Sequence, residues 1–261
     1  MIEQGRGGTP DPELLKAIRR DWDFRARKDA RHYINWSDVP NEENAFFESG
    51  KRDYARFVVP FLQKMKFDPH GKTVLDIGCG IGRIGRWMAS DFGRYIGVDV
   101  SPEMIRMARA FGFPGTTFQA VSGGDLAGIP DESVDFVFSL GVFHHTPEKN
   151  VIFNYFGETA RVLKPRGVFR FILKGLWNLV VGHAALEAGL SHRIKIGVVQ
   201  APFIRVRHLD TWQGRSIPPS EAIRECEARG LDVEHIEGKW TVRMWIGGRK
   251  AGTSFASAVI Q

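Results

Sequence analysis

The sequence predicts a Rossmann-like α/β fold, a mostly parallel sheet of seven strands flanked by helices. Between residues 72 and 174, short β-rich runs alternate with amphipathic helical segments, which is the pattern of βαβ units. One further helical segment and two strand-like runs follow, and they would complete the far edge of the sheet. A chain of 261 residues is long enough for one such domain plus additions.

The predicted strands are runs rich in β-branched and aromatic residues. They are 73–76, 95–98, 117–120, 134–139, 168–173, 232–236 and 241–246. Helices are expected to begin near Arg83, at Pro102 after a serine cap, and near Asn150. A last helix is expected over about 219–229, where a glycine ends it.

Two regions lie outside this alternation. Residues 1–71 are polar and mostly helical in pattern, with Leu14, Leu15 and Ile18 at helix spacing, and are interpreted as an N-terminal helical cover. Residues 72–261 are assigned to the α/β domain itself. Within it, the less regular residues 175–216 are predicted to be an insertion after the fifth strand that covers the substrate.

Composition excludes several classes of protein. No apolar run reaches the roughly 20 residues that span a bilayer, and the N-terminus lacks the apolar segment of a signal peptide. The cysteines, Cys79 and Cys226, lie far apart and lack metal-ligand spacing. We therefore expect a cytoplasmic protein with no membrane contact and no metal site.

The net charge of +6 has its excess toward the C-terminal end. The basic residues there are Arg193, Lys195, Arg205, Arg207 and Arg215, offset nearby only by Asp210. Such a cluster could suit an anionic substrate or a nucleic acid, although an idle solvated surface is the commoner outcome. No recognisable nucleic-acid module accompanies it, so nucleic acid is not the expected partner. The oligomeric state is not indicated.

A glycine-rich turn follows the first predicted strand, in the segment from Val74 to Gly82, which reads VLDIGCGIG. Glycine is needed where the backbone turns sharply and a ligand approaches main-chain atoms. Gly80, Gly82 and Gly85 also satisfy GxGxxG, the dinucleotide fingerprint, so two cofactor classes remain open.

Two carboxylates bear on that choice. Asp76 precedes the turn, where an acidic group suits an ammonium and repels a pyrophosphate. Asp99 ends the second strand about 20 residues on, the position of an acceptor for ribose hydroxyl groups. Asp99 supports nucleoside binding in either class. Helix capping or turn formation is the structural alternative for both residues.

The motifs together resemble the class I S-adenosylmethionine-dependent methyltransferases, particularly the type 11 or UbiE-like group that acts on small molecules. The matching segments, in chain order, are 74–83, 97–104, Gly124-Asp125-Leu126, 129–130, 133–135, Phe143-His144-His145 and Arg161-Val162-Leu163-Lys164-Pro165. Ordered motifs over about one hundred residues are a specific signal. The sequence departs from the family at Arg166, where a glycine is usual.

The resemblance implies that S-adenosylmethionine is the cofactor. Its methionyl part would lie at the 78–82 turn, its ribose at Asp99, and its adenine edge at Asp125 and the Leu126 amide. The candidate cofactor residues are thus Asp76, Gly78, Cys79, Gly80, Gly82, Asp99, Val100, Asp125, Leu126 and Ser139. Turn formation is the alternative role for Asp125, and compactness within the turn is the favoured role for Cys79.

His144 and His145 follow the fourth strand, at the edge where a substrate would face the donor methyl. A histidine there can accept a proton near neutral pH, and His145 is the first candidate for a general base. Ordinary hydrogen bonding is the structural alternative for both. The predicted function is methyl transfer to oxygen or nitrogen of a small molecule. A tRNA or nucleotide methyltransferase, a non-catalytic cofactor-binding regulator and an NAD-dependent oxidoreductase remain alternatives.

Overall fold

The structure is a computed structural model, and it describes residues 10–34, 42–175, 214–239, 241 and 243–252. The described helices, in chain order, are α1 (Pro12–Ile34), α2 (Glu43–Asp53), α3 (Val59–Lys64), α4 (Gly85–Asp91), α5 (Pro102–Phe111), α6 (Lys149–Val162) and α7 (Pro219–Glu227). A π-helical turn, Tyr54–Val58, joins α2 to α3, and a 3₁₀ turn covers Phe143–His145. None of the described helices is long and apolar enough to cross a bilayer.

The strands form one seven-stranded sheet in the order β3-β2-β1-β4-β5-β7-β6. Their bounds are β1 (Thr73–Ile77), β2 (Arg94–Asp99), β3 (Thr116–Ala120), β4 (Val134–Ser139), β5 (Leu163–Lys174), β6 (Leu231–Glu237) and β7 (Arg243–Lys250). The pairs among β1 to β5 are parallel, whereas β7 is antiparallel to both β5 and β6. The predicted mostly parallel, seven-stranded fold with flanking helices is confirmed.

Apolar side chains pack on both faces of the sheet. One core joins Leu75 and Ile77 of β1 with Phe169 and Phe171 of β5, and Leu14 of α1 adds to it. The core on the opposite face is rich in aromatic residues, which include Phe61, Tyr95, Phe136, Phe138 and Trp245. Because both faces are covered, the functional groups collect at the carboxyl edge of the parallel strands, as in other open α/β sheets.

The predicted element positions hold with small differences. β5 begins at Leu163 rather than 168, because Leu163 pairs with Val134 before a register shift in β4 and β5. α4 begins at Gly85, two residues after the predicted start, because residues 80–84 are in turns. Ser101 caps α5 as predicted, its Oγ accepting from the Met104 amide at 3.1 Å.

Candidate cofactor and substrate site

The turn at residues 78–82, between β1 and α4, is held by hydrogen bonds inside the protein. The amides of Gly78 and Cys79 both donate to the carbonyl of Val98, at 2.7 and 3.0 Å. The Gly82 amide donates to the Cys79 carbonyl at 3.0 Å. The glycines have positive φ angles, which are 76° at Gly78, 54° at Gly80 and 83° at Gly82. The turn is thus a defined backbone loop, and these amides are not free to bind an anion.

Asp99, at the end of β2, binds this turn directly. Its Oδ2 accepts from the Gly80 amide at 3.0 Å, and its Oδ1 accepts from the Ser101 amide at 2.9 Å. Burial raises the pKa of Asp99 to about 6, and the two amides oppose that rise. The carboxylate is therefore mainly ionised at neutral pH. Each oxygen keeps a lone pair, so the group can also accept from two hydroxyls of a ligand.

Asp76 is buried beneath the turn, with 5% of its surface exposed. Its Oδ2 accepts a hydrogen bond from the hydroxyl of Tyr95 at 2.7 Å. Burial raises the pKa of Asp76 to about 7, and the Asp99 charge adds to the rise, while the Tyr95 hydroxyl and Arg83 lower it. Its expected contact with the cofactor ammonium stays a prediction. Tyr95 is a partner that the sequence motif did not reveal.

The loop after β3 carries the residues that the resemblance assigns to adenine. Asp125 is half-buried, and its Oδ1 accepts from the Ala127 amide at 3.0 Å. The Leu126 amide donates to Oε2 of Glu158 at 2.9 Å. Arg161 also binds Glu158, at 2.7 Å, and lowers its pKa. An adenine contact by the Leu126 amide stays a prediction, and it requires the amide to exchange or share this acceptor.

Three further candidate cofactor residues line the ends of the central strands. The Ser139 hydroxyl is buried and donates to the Ile77 carbonyl at 3.0 Å, which ties β4 to the start of the turn. The Cys79 thiol is buried, and burial raises its pKa well above the usual value, so it is not a reactive thiolate. Val100 is half-buried, and its carbonyl accepts from Arg19 at 3.3 Å. Their contacts with a cofactor stay predictions.

The two candidate histidines lie together in the 3₁₀ turn after β4. Their ring centroids are 4.0 Å apart. The His145 ring meets the Trp22 ring edge-to-face, with centroids 5.5 Å apart. The Nδ1 atom of His144 is buried and has no hydrogen-bond partner among the residues that the structure describes. The structure therefore brings both histidines to the carboxyl edge, as expected from their position after the fourth strand.

Helix α1 crosses this edge and contributes groups that sequence reasoning missed. Oδ1 of Asp23 accepts from the Ser101 hydroxyl at 2.5 Å and from the Glu103 amide at 3.1 Å, at the start of α5. The Ile34 side chain lies over the turn, since a Cβ built on Gly80 would be 2.7 Å from its Cδ1 atom. The polar pattern of α1 held no signal of these contacts. Phe24 of the same helix is exposed.

The fold and this edge define a class of protein: an α/β domain with a glycine-rich turn and a carboxylate at the neighbouring strand end. Residues 75–171 match the family of methyltransferase domains. These residues therefore form a methyltransferase domain, as the motifs predicted.

Curated relatives agree with this assignment. The chain is similar to the 2-methyl-6-phytyl-1,4-hydroquinone methyltransferase of Synechocystis sp., 31% identical over 180 residues, which are 68% of this chain and 50% of that protein. It is also similar to the juvenile hormone acid O-methyltransferase of Bombyx mori, 31% identical over 140 residues, 50% of this chain and 49% of that protein. The chain thus spans about half the length of these relatives.

A solved structure shows the same fold. The magnesium protoporphyrin IX methyltransferase of Synechocystis PCC 6803, crystallised with bound SAH, superposes with a TM-score of 0.61 at 15% sequence identity. The match covers 90% of this chain and 99% of that chain.

Proposed function

We propose that this chain is an S-adenosylmethionine-dependent methyltransferase that methylates an oxygen or nitrogen atom of a small molecule. The observation that carries the proposal is the hydrogen bond between the Gly80 amide and Asp99, which joins the turn to an ionised acceptor at the next strand tip. A ribose diol donates two hydroxyl protons, and the free lone pairs of Asp99 match them.

The same geometry argues against an NAD-dependent oxidoreductase. A pyrophosphate needs free amides at the turn, whereas those of Gly78, Cys79 and Gly82 have carbonyl acceptors inside the protein. Gly85, the last glycine of the GxGxxG match, has a packing role instead. A Cβ there would lie 2.4 Å from the Tyr95 hydroxyl oxygen and ring.

Bound S-adenosylmethionine supplies a methyl group on a positively charged sulfur, which is already a strong electrophile. The chain's own residues then have mainly to position the acceptor, and orientation alone can remove about 7–11 kcal/mol of barrier. α1 and Trp22 cover the edge and help to exclude water. His145 would accept the proton of a hydroxyl acceptor, a role that an amine or a phenol needs less.

The curated relatives named above methylate small molecules, as their names state, which supports a small-molecule acceptor here. The alternative of a nucleic-acid acceptor rested on the basic residues between 193 and 215. Of these basic residues, the structure describes only Arg215. That side chain is exposed and donates to the Pro147 carbonyl at 3.1 Å. We also propose that residues 1–71 form a helical cover and that residues 175–216 form an insertion that covers the substrate.

Two measurements test the proposal. Calorimetric titration should show binding of S-adenosylmethionine and S-adenosylhomocysteine and none of NAD. Incubation with a labelled methyl donor and a metabolite extract should then yield a labelled small molecule, with tRNA as the competing acceptor. Binding without transfer to any acceptor would instead indicate a non-catalytic regulator. Binding of NAD alone would overturn the proposal.

A further inference from the structure

Basic side chains cluster at the carboxyl end of β5, beside the 3₁₀ turn that holds the histidines. Lys174 is the last residue of β5, and its register partner in β7 is Arg243. Partners in antiparallel strands project from the same face of the sheet. The pKa of His144 is lowered by burial and also by the nearby positive charges of His145, Arg243 and Lys174. These side chains therefore share one small region at the edge where a substrate would bind.

Two of these groups have hydrogen-bonding capacity that no other described residue uses. The buried Nδ1 atom of His144 has no partner among the described residues. The half-buried ammonium of Lys174 donates to the Gly214 carbonyl at 3.0 Å, and no second acceptor is found for it in the described part of the chain. An ammonium has three protons, so two remain available. The Gly214 amide in turn donates to the His144 carbonyl at 2.8 Å, which holds the two groups together.

Within the described part of the chain, no negative charge balances the positive charges of this region. Burial lowers the pKa of His144 well below its usual value, and positive charges lower it further. Burial alone lowers the pKa of Lys174. No carboxylate of the described residues opposes either shift. Elsewhere the chain does pair half-exposed lysines, as Lys149 with Glu221 at 2.6 Å and Lys164 with Asp135 at 2.8 Å.

Like charges that are partly removed from water are costly unless an opposite charge joins them. An anion at this place would accept from the Lys174 ammonium and from Nδ1 of the neutral His144 ring in its Nδ1–H tautomer, and its charge would balance those of Lys174 and Arg243. The guanidinium of Arg243 adds a planar pair of donors that fits the two oxygens of a carboxylate or phosphate.

We propose that His144, Lys174 and Arg243 form a subsite for an anionic group, a carboxylate or a phosphate, carried by the methyl acceptor. The inference rests on the proposed methyltransferase function, because the subsite lies at the same edge as the cofactor turn. It narrows the acceptor to a small acid. His144 is then a binding residue, and a base, where the acceptor needs one, is His145.

Small probes test the subsite directly. Benzoate, phenyl phosphate and neutral benzamide are titrated into the protein saturated with S-adenosylhomocysteine, with binding followed by the NMR shifts of the His144 ring. His144→Gln identifies those signals by their loss. At least one of the two anions should bind and shift the signals. The anion that binds more tightly then indicates whether the acceptor carries a carboxylate or a phosphate. Benzamide should not. Equal binding of benzamide, or unmoved His144 signals with both anions, overturns the proposal.

Charge-removing variants complete the test. Lys174→Gln should weaken binding of the anion at least tenfold, whereas Lys72→Gln, an exposed lysine before β1 at the opposite edge, should leave it unchanged. Arg243→Gln, at an exposed position, should also weaken binding, which keeps the test open if Lys174→Gln does not fold. Equal losses in Lys72→Gln and Lys174→Gln would overturn the subsite. If the protein binds S-adenosylhomocysteine but neither anion, only the subsite is overturned. If the wild-type protein does not bind S-adenosylhomocysteine, the proposed function is overturned.

Discussion

The hydroxyl of Tyr95 donates a 2.7 Å hydrogen bond to Oδ2 of Asp76, and both side chains are buried. The bond joins β1 to β2 just before the cofactor turn, on the sheet face whose core contains Tyr95. It stabilises the ionised form of an acid whose pKa burial would otherwise raise further. The orientation of the first acidic residue of the motif thus depends on a tyrosine in the neighbouring strand.

Replacing this tyrosine tests the bond. Tyr95→Phe should lower the free energy of unfolding by about 1–3 kcal/mol, because a buried carboxylate loses a donor. Urea denaturation at pH 8 measures the loss. Tyr54→Phe is the matched control, since Tyr54 makes a similar 2.6 Å bond to the half-buried Asp91. We expect a smaller loss there, and equal losses would contradict a special role for burial of Asp76.

The pH dependence of stability follows from the same carboxyl. Burial raises the pKa of Asp76 to about 7, whereas an unfolded aspartate titrates near about 4. Between these values the folded state binds more protons than the unfolded state, so this group lowers the free energy of unfolding as pH rises from about 4 to about 7. Asp99, with its pKa raised to about 6, acts in the same direction over a narrower range.

Asp76→Asn should remove the Asp76 share of this effect. The free energy of unfolding of the variant, relative to the wild type, should rise between about pH 4 and pH 7 and stay constant above. Denaturation series at several pH values measure this difference. A difference that does not change with pH would show that Asp76 titrates normally in the folded protein.

Asp99→Ala should weaken binding of S-adenosylhomocysteine by about 1–3 kcal/mol, because two ribose hydroxyls lose a charged acceptor. Calorimetry on folded protein measures the change. Asp68→Ala, an exposed position at the opposite edge of the sheet, is the control and should bind as the wild type does. Unchanged affinity in a folded Asp99→Ala variant would defeat the ribose assignment.

His145→Ala should lower turnover about a hundredfold or more if the acceptor is a hydroxyl, and cofactor affinity should stay almost unchanged. A structural role through Trp22 predicts instead a lower Tm with normal turnover per folded molecule. His70→Ala, an exposed histidine at the other edge, is the control for general effects. Normal turnover with intact binding would remove His145 from the mechanism.

Gly78→Ala should destabilise the protein for two separable reasons. The new Cβ would lie 1.9 Å from Cγ2 of Val142, and the residue has a φ of 76°, which costs an L-residue about 1–2 kcal/mol. The double variant with Val142→Ala should recover the steric part only. Urea denaturation of both single variants and the double variant measures the coupling. Additive losses would mean that the two side chains do not meet.

The sequence by itself determined the order of strands and helices along the chain. It also determined the turn with its two carboxylates, because periodicity and turn chemistry are local properties. Apolar runs marked β1 and β4, glycines marked the turn, and Ser101 marked the start of α5. The extension of β5 back to Leu163 was missed, because pairing with Val134 depends on a neighbouring strand.

Only the tertiary structure decided which partner each polar group has. Tyr95 binds Asp76 from 19 residues away, Glu158 takes the Leu126 amide from 32 residues away, and Asp23 reaches Ser101 across 78 residues. The basic cluster arises in the same way, since the pairing of β7 with β5 makes Lys174 and Arg243 register partners. Hydrogen bonds and charges act over a few ångströms in space, and the distance between two residues along the chain does not show whether the fold brings them within that range.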